Sequence, residues 1–266
     1  MVTKEKIKDY IDKIPPAPKA LKETLHLLRD GELMKAAKVA ESELPLKIYL
    51  KNLVNKPVYG FKNEVSDVSQ IFGILGVAGS QQAVYNYMLA LLSPKEWTVF
   101  KLTEKTFYEL QAQLSANYNN ILKHLNIIDK DIQSAISLLP ASIIVTEALF
   151  KEHIKDVELL RQTKELDYNT ILKRLSKIDI FDICQQIASK WEMPSKIAQI
   201  IQASSGIKSS KDKDVNHIAK WIHLLLFYEL SKPIFIEAQL NDFIDFQVDF
   251  VEDIYDDFLK IMNVEN

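Results

Sequence analysis

The chain has 266 residues, 47% of them apolar, a formal net charge of −3 and one cysteine, which is length enough to bury a core without cross-links. A single cysteine excludes an internal disulfide framework, a pI near 6.0 gives no global attraction to nucleic acid, and no nearly apolar run approaches the ~20 residues of a membrane span. With six Gly and nine Pro, and with Leu, Ile, Lys, Glu and Ala dominating, the composition predicts an all-α fold.

The start, Met1 to Lys6, is charged with no apolar stretch behind it, so no signal peptide is expected and the reading is a cytoplasmic protein. Ile14-Pro15-Pro16-Ala17-Pro18 ends one helix and begins the next, because a fixed φ and a missing N–H suit only a first helical turn. Leu21, Leu25 and Leu28 then recur at helical spacing, and Asp30-Gly31 stops that helix. Beyond Glu43-Leu44, Asn55 and Tyr59-Gly60, the positions Val65, Val68, Ile71 and Leu75 form the apolar face of a helix that runs into Gly76. Gly73, Gly76 and Gly79 follow no strand and precede no Lys-Ser/Thr, so neither a dinucleotide loop nor a P-loop is present, and close helix packing is expected to explain them.

Ser93-Pro94-Lys95-Glu96 has a cap, a first-turn proline and a Glu at capping-box spacing, so a helix and a passage between lobes are expected there. Phe107, Leu110, Leu114, Tyr118, Ile121 and Leu125 hold one stripe and predict a long central helix. Ile132, Ile136 and Leu139 mark another that ends near Pro140, and Ala141 to Leu149 reads as buried helix. Gly206 to Asp214, small and charged, reads as a loop. Val215, Ile218, Ile222 and Leu225 predict a further helix. Val248, Val251, Tyr255, Phe258 and Ile261 or Met262 predict a last one, packed on the same bundle. From Pro233 to Leu259 lie Glu237, Asp242, Asp245, Asp249, Glu252, Asp253, Asp256 and Asp257 without a Lys or Arg, so the C-terminal segment presents an acidic face.

The order of signals from Ile14 to Gly76 resembles the start of the HDOD domain, the HD-related output domain of bacterial signalling proteins. That family has a proline-punctuated entry, a Leu-rich helix, an Asp-Pro, an Asn-Ser, a Tyr-Gly and a closing Leu-Gly; here Glu43-Leu44 replaces the Asp-Pro and Asn55-Lys56 the Asn-Ser. Trp191-Glu192-Met193-Pro194, followed by Ile197, Ile200 and Ile201, resembles the family's late Trp-x-Leu-Pro helix start. The resemblance implies an HD-related helical bundle over residues 7–205, with an N-terminal lobe at 7–92 and an HD-like lobe at 93–205. A loop at 206–214 and acidic helices at 215–264 on the same domain complete the expected organisation.

Catalytic relatives of that family, the HD phosphohydrolases, hold metal with a His, a His-Asp pair and a further Asp, ligands that let a divalent ion activate water against a phosphoester. This chain has no His-Asp dipeptide. Where His-Asp-Ile-Gly would follow two leucines, Pro140-Ala141-Ser142-Ile143 follows Leu138-Leu139, and the late His-His is replaced by Ser204-Ser205. The resemblance therefore implies no metal ligand, no cofactor and no catalytic residue. His26, His124 and His153 stand alone, His217 and His223 are turned apart on a helix, and His223 sits in the apolar run Trp221 to Leu226 as a core histidine. Cys184 reads as a small buried hydrophobe. Ser205-Gly206-Ile207-Lys208 fits a Ser-x-x-Lys string but lacks its companion motifs. Lys51, Lys56 and Lys62, with Tyr49, Tyr59 and Phe61 between or beside them, have the composition of a weak nucleic-acid patch; the preferred reading is that Tyr59 packs and the lysines are solvated.

The functional expectation is a non-catalytic signal-transduction or scaffolding module acting through an unidentified regulatory protein, with Asp249, Asp253 and Asp257 as candidate partner-binding residues and no membrane role. One alternative is a divergent metal-dependent phosphohydrolase built on carboxylates such as Asp129, Asp131 or Glu147. A nucleic-acid adaptor is the other; it requires a continuous basic surface that the sequence does not display.

Overall fold

The computed structural model describes residues 2–56 and 60–263, and every regular element among them is helical. The all-α expectation holds. The chain clusters into two compact units, Pro15–Leu91 and the combination of Met1–Ile14 with Leu92–Asn266.

The smaller unit contains α2 (Lys19–Arg29), α3 (Leu33–Ser42), α4 (Leu44–Val54) and α5 (Val68–Ala90). Leu21, Leu25 and Leu28 are buried, α2 packs on α3 and α5, and Ala36, Ala37 and Ala40 of α3 are fully buried. Gly31, at φ 81, closes α2. Its N–H reaches Leu28 O at 3.0 Å and the next N–H reaches Leu27 O at 2.8 Å, the paired bonds of a Schellman stop. Asn55 ends α4 and clamps the returning chain: its amide accepts from Val65 N at 2.9 Å and donates to Val65 O at 2.8 Å. Tyr59 lies outside the described residues.

Close packing does not explain the three glycines. A Cβ on Gly73 or Gly76 would meet nothing within 4 Å, and one on Gly79 would meet only the Leu75 side chain. Gly76 has φ 66 and ψ −179, a backbone conformation open essentially only to glycine, and it breaks α5 before the helix resumes.

In the larger unit, α1 (Lys4–Lys13) packs on α8 (Pro140–Lys151) and α11 (Ile180–Lys190). The central stripe forms α6 (Glu104–His124), with Phe107, Leu110, Leu114, Tyr118 and Ile121 buried. It is followed by α7 (Lys130–Ala135) and a 3₁₀ turn, Ile136–Leu138, that leads into α8. Against the expectation that no stretch approaches a membrane span, residues 130–151 are apolar and long enough to cross one by composition; 89% of their most apolar window is buried, as in a core helix. Next come α9 (Ile154–Lys164), α10 (Tyr168–Ser176), α11, α12 (Ser195–Ala203), α13 (Lys213–Leu230), α14 (Pro233–Glu237), α15 (Val248–Val251) and α16 (Tyr255–Ile261). Trp191 closes α11, with Glu192 at φ 56 and Met193 N bonded to Ala188 O at 2.9 Å. Pro194 then opens α12, so the Trp-Glu-Met-Pro patch is one helix stop joined to the next start.

Two expected elements differ. No helix starts at Ser93; residues 91–103 form turns and bends. A helix from Pro94 would need the N–H groups of Thr98, Val99 and Phe100 for its own carbonyls, but the buried Glu147 carboxylate accepts all three. The last helix is also interrupted, by a 3₁₀ turn at Glu252–Ile254. Three residues per turn put Ile254 on the buried side with Val251 and Phe258, leaving Tyr255 44% exposed; Val248 is 61% exposed.

Candidate functional site

Pro140-Ala141 and Ser204-Ser205, which the resemblance sets against the metal ligands of the HD relatives, lie at the first turn of α8 and just past the last turn of α12, and both helices pack on α11. Pro140 occupies the first turn of α8, where its missing N–H leaves no bond unmade, and Pro140, Ala141 and Ser142 are all buried. The Ser142 hydroxyl donates to Leu139 O at 2.6 Å. On α11 the Cys184 thiol, 1% exposed, points at Leu138 O at 3.3 Å. Burial pushes its pKa up to about 12, so at neutral pH it is a thiol and not a nucleophilic thiolate.

At the end of α12 both hydroxyls are used locally: Ser204 Oγ donates to Ile200 O at 2.8 Å and Ser205 Oγ to Gln202 O at 2.9 Å. The Ser204 carbonyl meets His223 Nδ1 at 2.9 Å, and the Gln247 N–H donates to His223 Nε2 at 3.1 Å. Because Nε2 must accept, the proton sits on Nδ1 and points at the carbonyl; the ring is the neutral Nδ1–H tautomer. The ring is stacked between Phe181, at 6.4 Å and 22°, and Phe246, at 5.6 Å and 18°, with the edge of Phe250 at 5.7 Å. Burial lowers the pKa of His223, against the opposing pull of the Ser204 carbonyl and the Asp245 charge. The core-histidine reading of His223 is correct, with both nitrogens employed.

Among the described residues no group of three or more His, Cys, Asp or Glu side chains could hold a metal ion. Two carboxylates of the hydrolase alternative, Glu147 and Asp129, have separate structural duties. Glu147 binds the 98–100 backbone. Asp129 caps α7 through the N–H groups of Asp131 and Ile132 and pairs with Lys196 Nζ at 2.7 Å. Burial raises the pKa of Asp129, but Lys196 and the helix amides outweigh it and leave the carboxyl below its usual range.

Asp249, Asp253 and Asp257 are exposed. Asp253 receives Lys220 on both oxygens at 2.7 Å, and Asp257 pairs with Lys260 at 3.0 Å. Asp242, from the same acidic run, is turned to Arg161. Elsewhere, Lys51 pairs with Glu64 at 2.7 Å and Tyr49 packs on Tyr87 at a centroid distance of 5.3 Å. The feature that sequence reasoning missed is the aromatic cage around His223. Phe246 and Phe250 stand one helical turn apart, but they lie within the acidic run and 23 or more positions beyond the ring they enclose.

Comparison with known families matches residues 14–207 to the HDOD domain. This chain belongs to the HDOD family. Among solved structures, an HDOD domain protein of unknown function from Geobacter sulfurreducens is similar to it with a TM-score of 0.67 and 13% identity, covering 97% of this chain and 94% of that one. A protein assigned to signal transduction from Marinobacter aquaeolei gives 0.61 at 17% identity, covering 97% and 60%. A protein named as a phosphohydrolase from Shewanella amazonensis gives 0.58 at 14% identity, covering 97% and 97%. These likenesses establish the shared fold. No curated protein matches. The HDOD match ends at residue 207, so Phe246, Gln247 and Phe250 lie beyond it.

Proposed function

We propose that this HDOD domain is a non-catalytic signal-transduction module that acts by docking a regulatory protein. The observation that supports this reading is the state of positions 140, 141, 204 and 205: a buried proline, a buried alanine and two hydroxyls committed to their own helix. Metal-assisted phosphoester hydrolysis needs several ligands converging on one ion, and these positions supply none. A frame kept without that chemistry acts through its surface.

The docking face in this reading includes Asp249, Asp253 and Asp257. Exposed ion pairs such as Asp253–Lys220 contribute no more than ~1 kcal/mol, so a partner's lysine or arginine displaces them at little cost. Affinity capture with the wild type and with the triple variant Asp249→Lys, Asp253→Lys, Asp257→Lys tests the face. Loss of the captured partner with helicity unchanged is expected; full retention removes the acidic face from the proposal. Metal analysis of protein purified without chelator, together with phosphodiesterase assays in Mn²⁺ and Mg²⁺, tests the absence of catalysis. Stoichiometric tightly held metal with turnover would overturn it.

A further inference from the structure

Beyond the HDOD match, residues 245–251 cross the end of α12, with their Phe246 and Phe250 rings against the His223 imidazole and with Val251 buried where α15 packs on α13. The approach is close. Gly206 has φ +72, and a Cβ on it would lie 3.1 Å from Phe250 and 3.3 Å from Gln247 Cβ, so a larger residue there is strained in its backbone and pushes the segment by a few tenths of an ångström. Phe246 stacks on Phe227 as well as on His223, at a centroid distance of 4.1 Å. The single polar bond from this segment to the ring is Gln247 N–H to Nε2.

We propose that residues 245–251 are an acid-released strap, latched over Ser204–Gly206 by neutral His223 and freed when the ring gains a second proton. The two nitrogens respond differently to that proton. Nδ1 already donates to the Ser204 carbonyl, and it continues to do so in the imidazolium. Nε2 changes from acceptor to donor, so an N–H then faces the Gln247 N–H and the bond to the strap is replaced by a clash of donors. The α12 side of the link survives while the strap side fails, so a local opening results, and not general unfolding.

The charged group facing the ring is Asp245, on the strap itself; α11 presents Phe181 and α12 presents the Ser204 carbonyl, both uncharged. Burial, the largest influence, sets protonation in the latched state below the ordinary 6.5, and Asp245 opposes it in part. The latch is therefore complete above about pH 6.5 and is lost as pH falls toward the lower value of the buried ring, with the opening constant rising about tenfold per pH unit across that window. Acidification uncovers the C-terminal end of α12 and the Gly206 turn, a surface that the latched protein hides.

Hydrogen exchange on the full chain between pH 7.5 and 5.0, with each amide rate divided by its intrinsic rate, reads the opening constant directly. Amides 245–251 are expected to open about tenfold more per unit below pH 6.5, while those of α6 stay constant. His223→Gln should make strap opening independent of pH. Asp245→Asn, at an exposed position, removes the carboxylate that favours the imidazolium in the latched state; the onset near pH 6.5 stays, the rise continues to lower pH, and the strap should open more at pH 5.0 than in the wild type. A wild-type strap whose opening does not change with pH, an unchanged pH response in His223→Gln, or an Asp245→Asn strap that opens no more than the wild type at pH 5.0 would each overturn the proposal; if the His223 variant does not fold, the Asp245 variant decides.

Discussion

Glu147→Gln tests a buried tertiary tie of the larger unit. The Glu147 side chain is 1% exposed and its two oxygens accept from Thr98, Val99 and Phe100, with Val99 within 3.1 Å of both. Hydrogen bonds to a charged group contribute about 1.5 to 3 kcal/mol each, and a buried donor left unmatched costs about 1 to 3 kcal/mol. The glutamine keeps the shape and one acceptor oxygen but turns an NH₂ group toward backbone N–H groups, so at least one bond is lost and one donor is stranded. The expected destabilisation is about 3 kcal/mol for Glu147→Gln and about 4 kcal/mol for Glu147→Ala, within the range for breaking a buried charged network. For a chain of this size that corresponds to a fall in Tm of roughly 6 to 12 °C. Urea denaturation followed by circular dichroism measures the change in midpoint. A loss below ~0.5 kcal/mol for the glutamine variant, the level typical of a neutral surface substitution, would show that the carboxylate does not hold the 98–100 turn and that another cause prevents a helix from starting at Ser93.

Three further outcomes are expected. Gly76→Ala should destabilise by about 2 kcal/mol, because its backbone region is closed to side chains. Gly73→Ala, in a regular turn of the same helix with space around it, should stabilise by up to ~1 kcal/mol; equal thermal shifts for the two would contradict the backbone argument. Asn55→Ala removes the two-way bond to Val65 and should cost about 1 to 2 kcal/mol, with amide exchange at Val65 rising before that of α2; protection retained at Val65 would count against the clamp. Cys184, buried and with its pKa raised to about 12, should be inert to an aromatic disulfide reagent in the native protein and react only on unfolding, so prompt native labelling would refute its burial.

Much of the helical frame is legible in the sequence. The stripes at Leu21, Leu25 and Leu28 and from Phe107 to Ile121 are buried as their spacing requires, and Gly31 and Pro194 stand at a helix end and a helix start. Such features depend on neighbours within about one helical turn, and the chain carries that information in its order. The missing His-Asp and His-His pairs are equally plain, since composition at a position needs no fold to be read.

Other features depend on partners far along the chain. The Ser93-Pro94 start has sound local signals, yet a carboxylate 47 to 49 residues away takes the N–H groups that a helix would use. Gly76 was legible as a glycine with a purpose, but only the backbone angles assign that purpose to conformation and not to packing. Val248 and Tyr255 fit an apolar stripe by spacing and lie exposed, Tyr255 because the 3₁₀ turn at Glu252–Ile254 shifts the buried side to Ile254. His223 was readable as a core histidine, but its bonds reach 19 residues back to Ser204 and 24 forward to Gln247. The sequence alone determined the all-α class, the buried stripes of α2 and α6 and the helix end and start at Gly31 and Pro194, because each is a matter of residue type and short spacing. Only the tertiary structure decided which buried groups meet, because hydrogen bonds and stacked rings require approach within a few ångströms, and sequence separation does not specify that approach.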